Sequence, residues 1–133
     1  MSGPRYEADD CREWRARAKS NLRLASVRDK VVYSEELCFN AQQAAEKAIK
    51  GVFVKYGREF PYTHTPARLL NLLADAAVVE VPVEVARAAD LTRFAFEARY
   101  PSVAREVTDE QYSEAFQTAD AFVRWAEKII QEG

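Results

Sequence analysis

Apolar residues recur every three or four positions along most of this chain, the spacing that gathers them on one side of an α-helix. From about Asp9 to Val27, Trp14, Ala18, Leu22 and Ala25 fall four, four and three apart, while Arg12, Arg15, Arg17, Lys19 and Arg23 spread over the remaining surface. This predicts a first amphipathic helix, and Arg28-Asp29-Lys30 reads as the polar turn that ends it. A stronger pattern follows. Leu37, Cys38, Ala41, Ala45, Ala48, Ile49, Val52, Phe53 and Tyr56 form an apolar side, opposed by Gln42, Gln43, Glu46, Lys47 and Lys50. Ser34 is placed to cap this second helix, Glu35 and Glu36 occupy the first turn where the helix dipole favours negative charge, and Gly57 stands where the helix should stop.

The chain must then reverse between Arg58 and Thr65. Thr65-Pro66 restarts it, with a threonine cap before a proline whose missing N–H costs nothing at the first helical position. A short helix should bury Leu69, Leu70, Leu72 and Leu73. Val81-Pro82 opens the next long helix, which runs to about Arg99 and is closed by Tyr100-Pro101 because the residue before proline resists the α conformation. Thr108-Asp109-Glu110-Gln111 has the capping-box pattern for a last helix.

That last helix carries two apolar rows: Tyr112, Phe116, Ala119, Val123, Ala126 and Ile130 in one, and Ala115, Phe122, Trp125 and Ile129 beside it. The helix before it is similar, with Val85, Ala89, Thr92 and Phe96 on one row and Leu91, Phe94 and Ala98 toward another. One row packs on the bundle, and the second is expected to meet a partner, which predicts a homodimer or an obligate complex. The alternative is a wide core stripe on centrally buried helices. The expected fold is all-α, an antiparallel up-and-down four-helix bundle with one additional short helix after the second, in one domain over residues 8–131.

Composition sharpens this picture in three ways. Only nine of 133 residues are Gly or Pro, which favours helices over a turn-rich β fold. A net charge of −2 argues against a broad basic surface for nucleic acid. No apolar run reaches membrane-spanning length, and the opening MSGPRYEADD lacks the apolar stretch of a signal peptide, so a cytoplasmic location without membrane contact is expected. Cys11 and Cys38 show neither metal spacing nor a CxxC pair, and both are expected as buried free thiols. There is no glycine-rich phosphate loop and no Cys or His cluster for a metal.

The wording of the second helix says more than its period. Cys38-Phe-Asn-Ala-Gln-Gln-Ala-Ala-Glu-Lys-Ala-Ile-Lys50, then Thr63-His64, then Phe96-Glu97-Ala98-Arg99-Tyr100-Pro101 and a long final helix together resemble the HEPN (higher eukaryotes and prokaryotes nucleotide-binding) family of small helical domains. The resemblance spans roughly residues 8–131. Many members are ribonucleases in which an arginine and a histidine, four to six intervening residues apart, meet across a dimer. Histidine moves the 2′-hydroxyl proton and arginine stabilises phosphate charge. After Arg99 the corresponding positions are Ala104, Arg105 and Glu106, so that activity is not carried over. Arg58 and His64 do satisfy the spacing, with five residues between them, but in the loop after the second helix, away from the family's motif. His64, the only histidine, is equally placed to bond a backbone carbonyl and pin that loop. Where similar members continue Thr-His with Asp-Leu, this chain has Thr65-Pro66 and so lacks the carboxylate.

Gln43, Glu46, Lys47 and Lys50 present an amide, a carboxylate and two ammonium groups on one helical side, a set suited to a polar ligand such as a nucleotide. The plainer interpretation is a solvated face with one Glu46–Lys50 pair, worth about 0.3–0.5 kcal/mol. His64, Arg99 and Tyr100 complete the candidate ligand set, Arg99 and Tyr100 either contacting phosphate or capping their helix. The resemblance implies a non-catalytic nucleotide- or substrate-binding module that acts with a small nucleotidyltransferase, a toxin–antitoxin-type pair being one form of it. The alternatives are a HEPN-type ribonuclease toxin using Arg58 and His64, and a purely structural dimerisation domain. No cofactor beyond a nucleotide ligand is expected.

Overall fold

Short-range hydrogen bonds set the helix ends. In the computed structural model, which describes residues 5–59, 66–75, 81–82 and 107–131, these helices are α1 (Cys11–Ala25), α2 (Ser34–Lys55), α3 (Pro66–Asp75) and α4 (Asp109–Gln131). Asp10 caps α1 by accepting from the Arg12 backbone N–H at 2.9 Å. The Arg12 side chain, also bonded to that carboxylate, and then the backbone bond hold its pKa down to about 2. The α2 terminus is a Schellman motif: Arg58 N–H bonds Phe53 C=O at 2.9 Å and Gly57 N–H bonds Val54 C=O at 3.0 Å. Gly57 sits at φ 65°, in the left-handed region, as its place after the helix requires. At α4 the capping box is complete, with Gln111 N–H on Thr108 Oγ1 at 3.1 Å and Thr108 N–H on Gln111 Oε1 at 3.0 Å. One expected cap fails. Ser34 is the first helical residue, and Tyr33 takes the cap position with no side-chain bond.

Helix directions follow from which ends meet. Asn21 touches both Asn40 and Lys47, while Trp14 lies against Gly51, so α1 and α2 are antiparallel. Val107 N–H bonds Glu35 near the start of α2, and Lys55 Nζ reaches the Ile130 carbonyl near its end, so α2 and α4 run the same way. Tyr112 Oη donates to the Ala25 carbonyl at 2.7 Å, closing the α1 C-terminus against the start of α4. An up-and-down bundle gives its second and fourth long helices this common direction. The described residues are all-helical, without strands.

The core is centred on α2. Cys38, Ala41, Ala44, Ala45, Ile49 and Val52 have no exposed area, and Ala119 and Phe122 of α4 and Leu69 and Leu73 of α3 close around them. Leu72, expected inside, is exposed, as is Tyr56. Gly51 permits close approach: a Cβ there would stand 3.1 Å from Trp14 Cβ and 3.3 Å from Ile130 Cδ1.

Both rows of α4 turn inward. Ala119, Val123, Ala126 and Ile130 are buried, and so are Ala115 and Phe122 of the second row, while Phe116, Trp125 and Ile129 are partly buried and packed on the core. The wide-stripe alternative therefore describes α4, and the exposed apolar face that would predict a partner is not there. Exposed apolar side chains collect instead at the α1–α2 connection, with Val31 85% and Tyr33 74% exposed. Cys38 is buried, and desolvation pushes its thiol up to about 12, leaving it inert; Cys11 is only partly buried, and both are free. The long helix expected from Val81-Pro82 to Arg99, its two apolar rows, and the Thr63-His64 and Phe96–Pro101 landmarks lie outside the described residues.

Candidate functional site

Much of the polar side of α2 is turned inward, with Gln43 and Lys47 left partly exposed. Gln42 has no exposed area, Glu46 is 2% exposed, and the Lys50 side chain is 12% exposed. The Glu46–Lys50 pair forms at 3.1 Å as its spacing predicts, but inside the bundle, where the Lys50 ammonium also lies 6.0 Å from the centre of the Trp14 ring. The expectation of a surface pair is thus corrected. A helix packed on several sides has no solvent face to offer, so its long polar side chains must meet neighbours.

Helix α1 supplies those neighbours. Glu13, Arg17 and Asn21 repeat every four residues beside its apolar stripe. Glu13 is buried, accepts from Arg17 Nε at 2.5 Å and from the Tyr6 backbone N–H at 3.1 Å, and its carboxyl is held below the usual range by those two bonds, the Arg17 bond first. Asn21 links the two helices. Its Nδ2 donates to Asn40 Oδ1 at 3.1 Å, Asn40 Nδ2 donates to the Glu36 carbonyl at 3.1 Å, and Asn21 Oδ1 accepts from Lys47 Nζ at 2.6 Å. Because one end of this relay is a backbone carbonyl, every amide in it has a defined orientation.

Lys47 is partly buried, and its pKa is lowered, chiefly by desolvation and then by the nearby Arg17 charge. Gln43, one turn earlier, donates to Gln42 Oε1 at 2.9 Å. The structure therefore brings Gln43, Glu46, Lys47 and Lys50 together on α2, as their spacing predicts, with Lys47 and Lys50 meeting Asn21 and Trp14 of α1. It adds Arg17, Asn21 and Asn40, which are absent from the candidate set drawn from the sequence. Their signal is present in the four-residue polar repeat on α1, but matching it to α2 needs the packing. Arg58 is exposed just past α2, where its backbone closes the helix; His64, Arg99 and Tyr100 lie outside the described residues.

A second concavity lies between α1 and α4, about 490 Å³, floored by Leu22, Phe116 and Val123. Among its lining charges Lys19 pairs with Glu127 at 3.0 Å and Arg124 with Asp120 at 2.9 Å, while Arg23 is exposed and in no ion pair among the described residues. Among the described residues no His, Cys, Asp and Glu cluster could hold a metal, and no helix is long and apolar enough to cross a membrane.

The HEPN domain family matches residues 11–129, from the first turn of α1 to the last turns of α4. Among solved structures, the protein TT1696 from Thermus thermophilus is 30% identical, with a TM-score of 0.78 over 89% of this chain and 96% of its own. ST0689, an archaeal HEPN homologue, is 26% identical, with a TM-score of 0.71 over 91% of this chain and 98% of its own. No curated protein matches the chain. The family match over nearly the whole bundle, with two solved structures that share its arrangement, places the resemblance of the α2 wording on firm ground: the chain belongs to the HEPN domain family.

Proposed function

We propose that this protein is a non-catalytic HEPN module that binds a nucleotide or nucleotide-bearing substrate and works beside a small nucleotidyltransferase. The partner and the nucleotide come from the family resemblance, and one observation supports the ligand part: hydrogen bonds place Gln43, Glu46, Lys47 and Lys50, Lys47 through Asn21 of α1 and the others within α2. Ordered polar groups bind with less entropic cost than mobile surface side chains. The non-catalytic part rests on the sequence, since no histidine follows Arg99 at the family's nuclease spacing. The homodimer expectation no longer draws on α4, whose two rows turn inward, and rests on the apolar rows of the preceding helix, which lie outside the described residues.

Two measurements test this. Affinity recovery of the tagged protein from its native host should yield a nucleotidyltransferase-like protein in near-equal amount. Calorimetry on the recovered complex should then show saturable nucleotide binding. Recovery of the protein alone, together with RNA cleavage that is lost in His64→Ala without a change in Tm, would replace this reading with the ribonuclease one.

A further inference from the structure

Among the described residues of the α1–α2 seam, three cations are matched by two carboxylates. Arg17 has Glu13 at 2.5 Å and Lys50 has Glu46 at 3.1 Å. Lys47 is in no ion pair among the described residues: it bonds the neutral amide oxygen of Asn21, and the Glu46 carboxylate, which bonds Lys50, acts on it only electrostatically. An ammonium carries three N–H donors. The bond to Asn21 uses one, and the other two have no partner among the described residues. A partly buried cation without a counter-ion is costly, because burial removes water that no carboxylate replaces. The Asn21–Asn40–Glu36 relay fixes the oxygen to which Lys47 is tied, and so gives the ammonium a defined place.

The arrangement has one ammonium outside any ion pair among the described residues, an acceptor that orients it, and charges close enough to act on it electrostatically, Arg17 and Lys50 disfavouring its charge and Glu46 favouring it. That is the chemistry of an oxyanion site. The α1–α4 concavity differs, because its one cation outside an ion pair, Arg23, is exposed to water and held by no side-chain acceptor among the described residues. We propose that the α1–α2 seam binds the phosphate group of the ligand, with Lys47 as the contacting ammonium and Asn21 and Asn40 as the residues that position it. This rests on the nucleotide-binding reading above and deepens it in two respects. It names the part of the ligand that is recognised, and it makes α1 half of the site.

The test is calorimetry on the full-length protein, and on its complex if one is recovered, with inorganic phosphate, AMP and adenosine as probes. Inorganic phosphate should bind saturably and compete with AMP, and adenosine should bind more weakly than AMP. Lys47→Gln should weaken both phosphate and AMP at least about tenfold, the loss expected for a hydrogen bond to a charged group, whereas Lys47→Arg should retain binding. Asn21→Asp supplies the missing counter-ion within the protein, so it should abolish phosphate binding while leaving Tm no lower than in the parent. Lys30→Gln, in the distant α1–α2 turn, should bind as the parent does.

The two readings fail differently. AMP binding that is unchanged in Lys47→Gln and Asn21→Asp overturns the phosphate site and leaves nucleotide binding standing. Phosphate binding that both variants abolish, with AMP no tighter than inorganic phosphate, keeps the site and removes the nucleotide. An absence of binding by either probe, to the protein and to its complex, overturns both.

Discussion

Helix α2 meets its two long neighbours in different ways. Toward α4 it is dry along its middle, where Ala41, Ala45, Ile49 and Val52 pack among Ala115, Ala119, Phe122 and Ala126, and polar contacts stand at the two ends, Glu35 with Val107 N–H and Lys55 with the Ile130 carbonyl. Toward α1 the small residues Ala18, Ala25 and Gly51 allow close approach, but the seam is edged by Glu13, Arg17, Asn21, Asn40, Gln43 and Lys47, joined by hydrogen bonds. Apolar contact stabilises without direction, so the middle of the α4 side specifies that α2 is covered, and its register is left to the bonds at the two ends. The α1 side is directional. Its amides have defined partners, and a slip of one residue would leave buried polar groups unbonded. The contrast separates the face that holds the bundle together from the face that carries the proposed function.

The sharpest way to break the comparison is to remove the dry side. Phe122 is fully buried and meets Trp125 edge-on with ring centres 6.2 Å apart. Phe122→Ala should cost about 3–5 kcal/mol, read as a lower denaturant midpoint, because the cavity cannot collapse between packed helices. Gly51 tests the closeness of the polar side. With Trp14 Cβ 3.1 Å from the position a Cβ would take, Gly51→Leu should cost about 1–3 kcal/mol through overpacking, despite leucine's better helix propensity. A smaller loss would mean that α1 can retreat from α2.

Thr108→Ala sharpens the comparison from outside both seams. It removes one arm of the capping box and should cost about 1 kcal/mol of thermal stability, without altering either interhelical face. The smallest effect is expected at Glu13. Its carboxyl is held below the ordinary carboxylate value by Arg17 and by the Tyr6 N–H, so its stabilisation is fully present above about pH 4.3 and is lost as pH falls through the lowered folded value. Glu13→Gln should therefore melt slightly below the parent at pH 7, and the gap between the two melting curves should narrow as the pH falls below about 4.3. A gap that did not narrow on acidification would show that Glu13 acts through packing and not through charge.

The fold is legible where its causes are local. The Thr108–Gln111 box, Gly57 as the helix stop and Pro66 as a helix start are all decided within a few residues, by donors and acceptors that reach only one turn. The apolar side of α2 is legible for the same reason, since a period of 3.6 is a property of the chain alone. Ser34 is the exception, because a serine beside Tyr33 is equally compatible with the first helical position.

What the sequence determined, then, is which segments become helices, where they start and stop, and the family wording of α2. What only the tertiary structure decided is which polar residues are inside. Lys47 and Asn21 are 26 positions apart, and no local pattern says that the lysine will find an amide and not a carboxylate. Nor does the period of α4 say whether its second apolar row meets solvent, a partner or its own bundle. Burial depends on how many neighbours surround a helix, and that number is set by the assembled chain, not by any one segment of it.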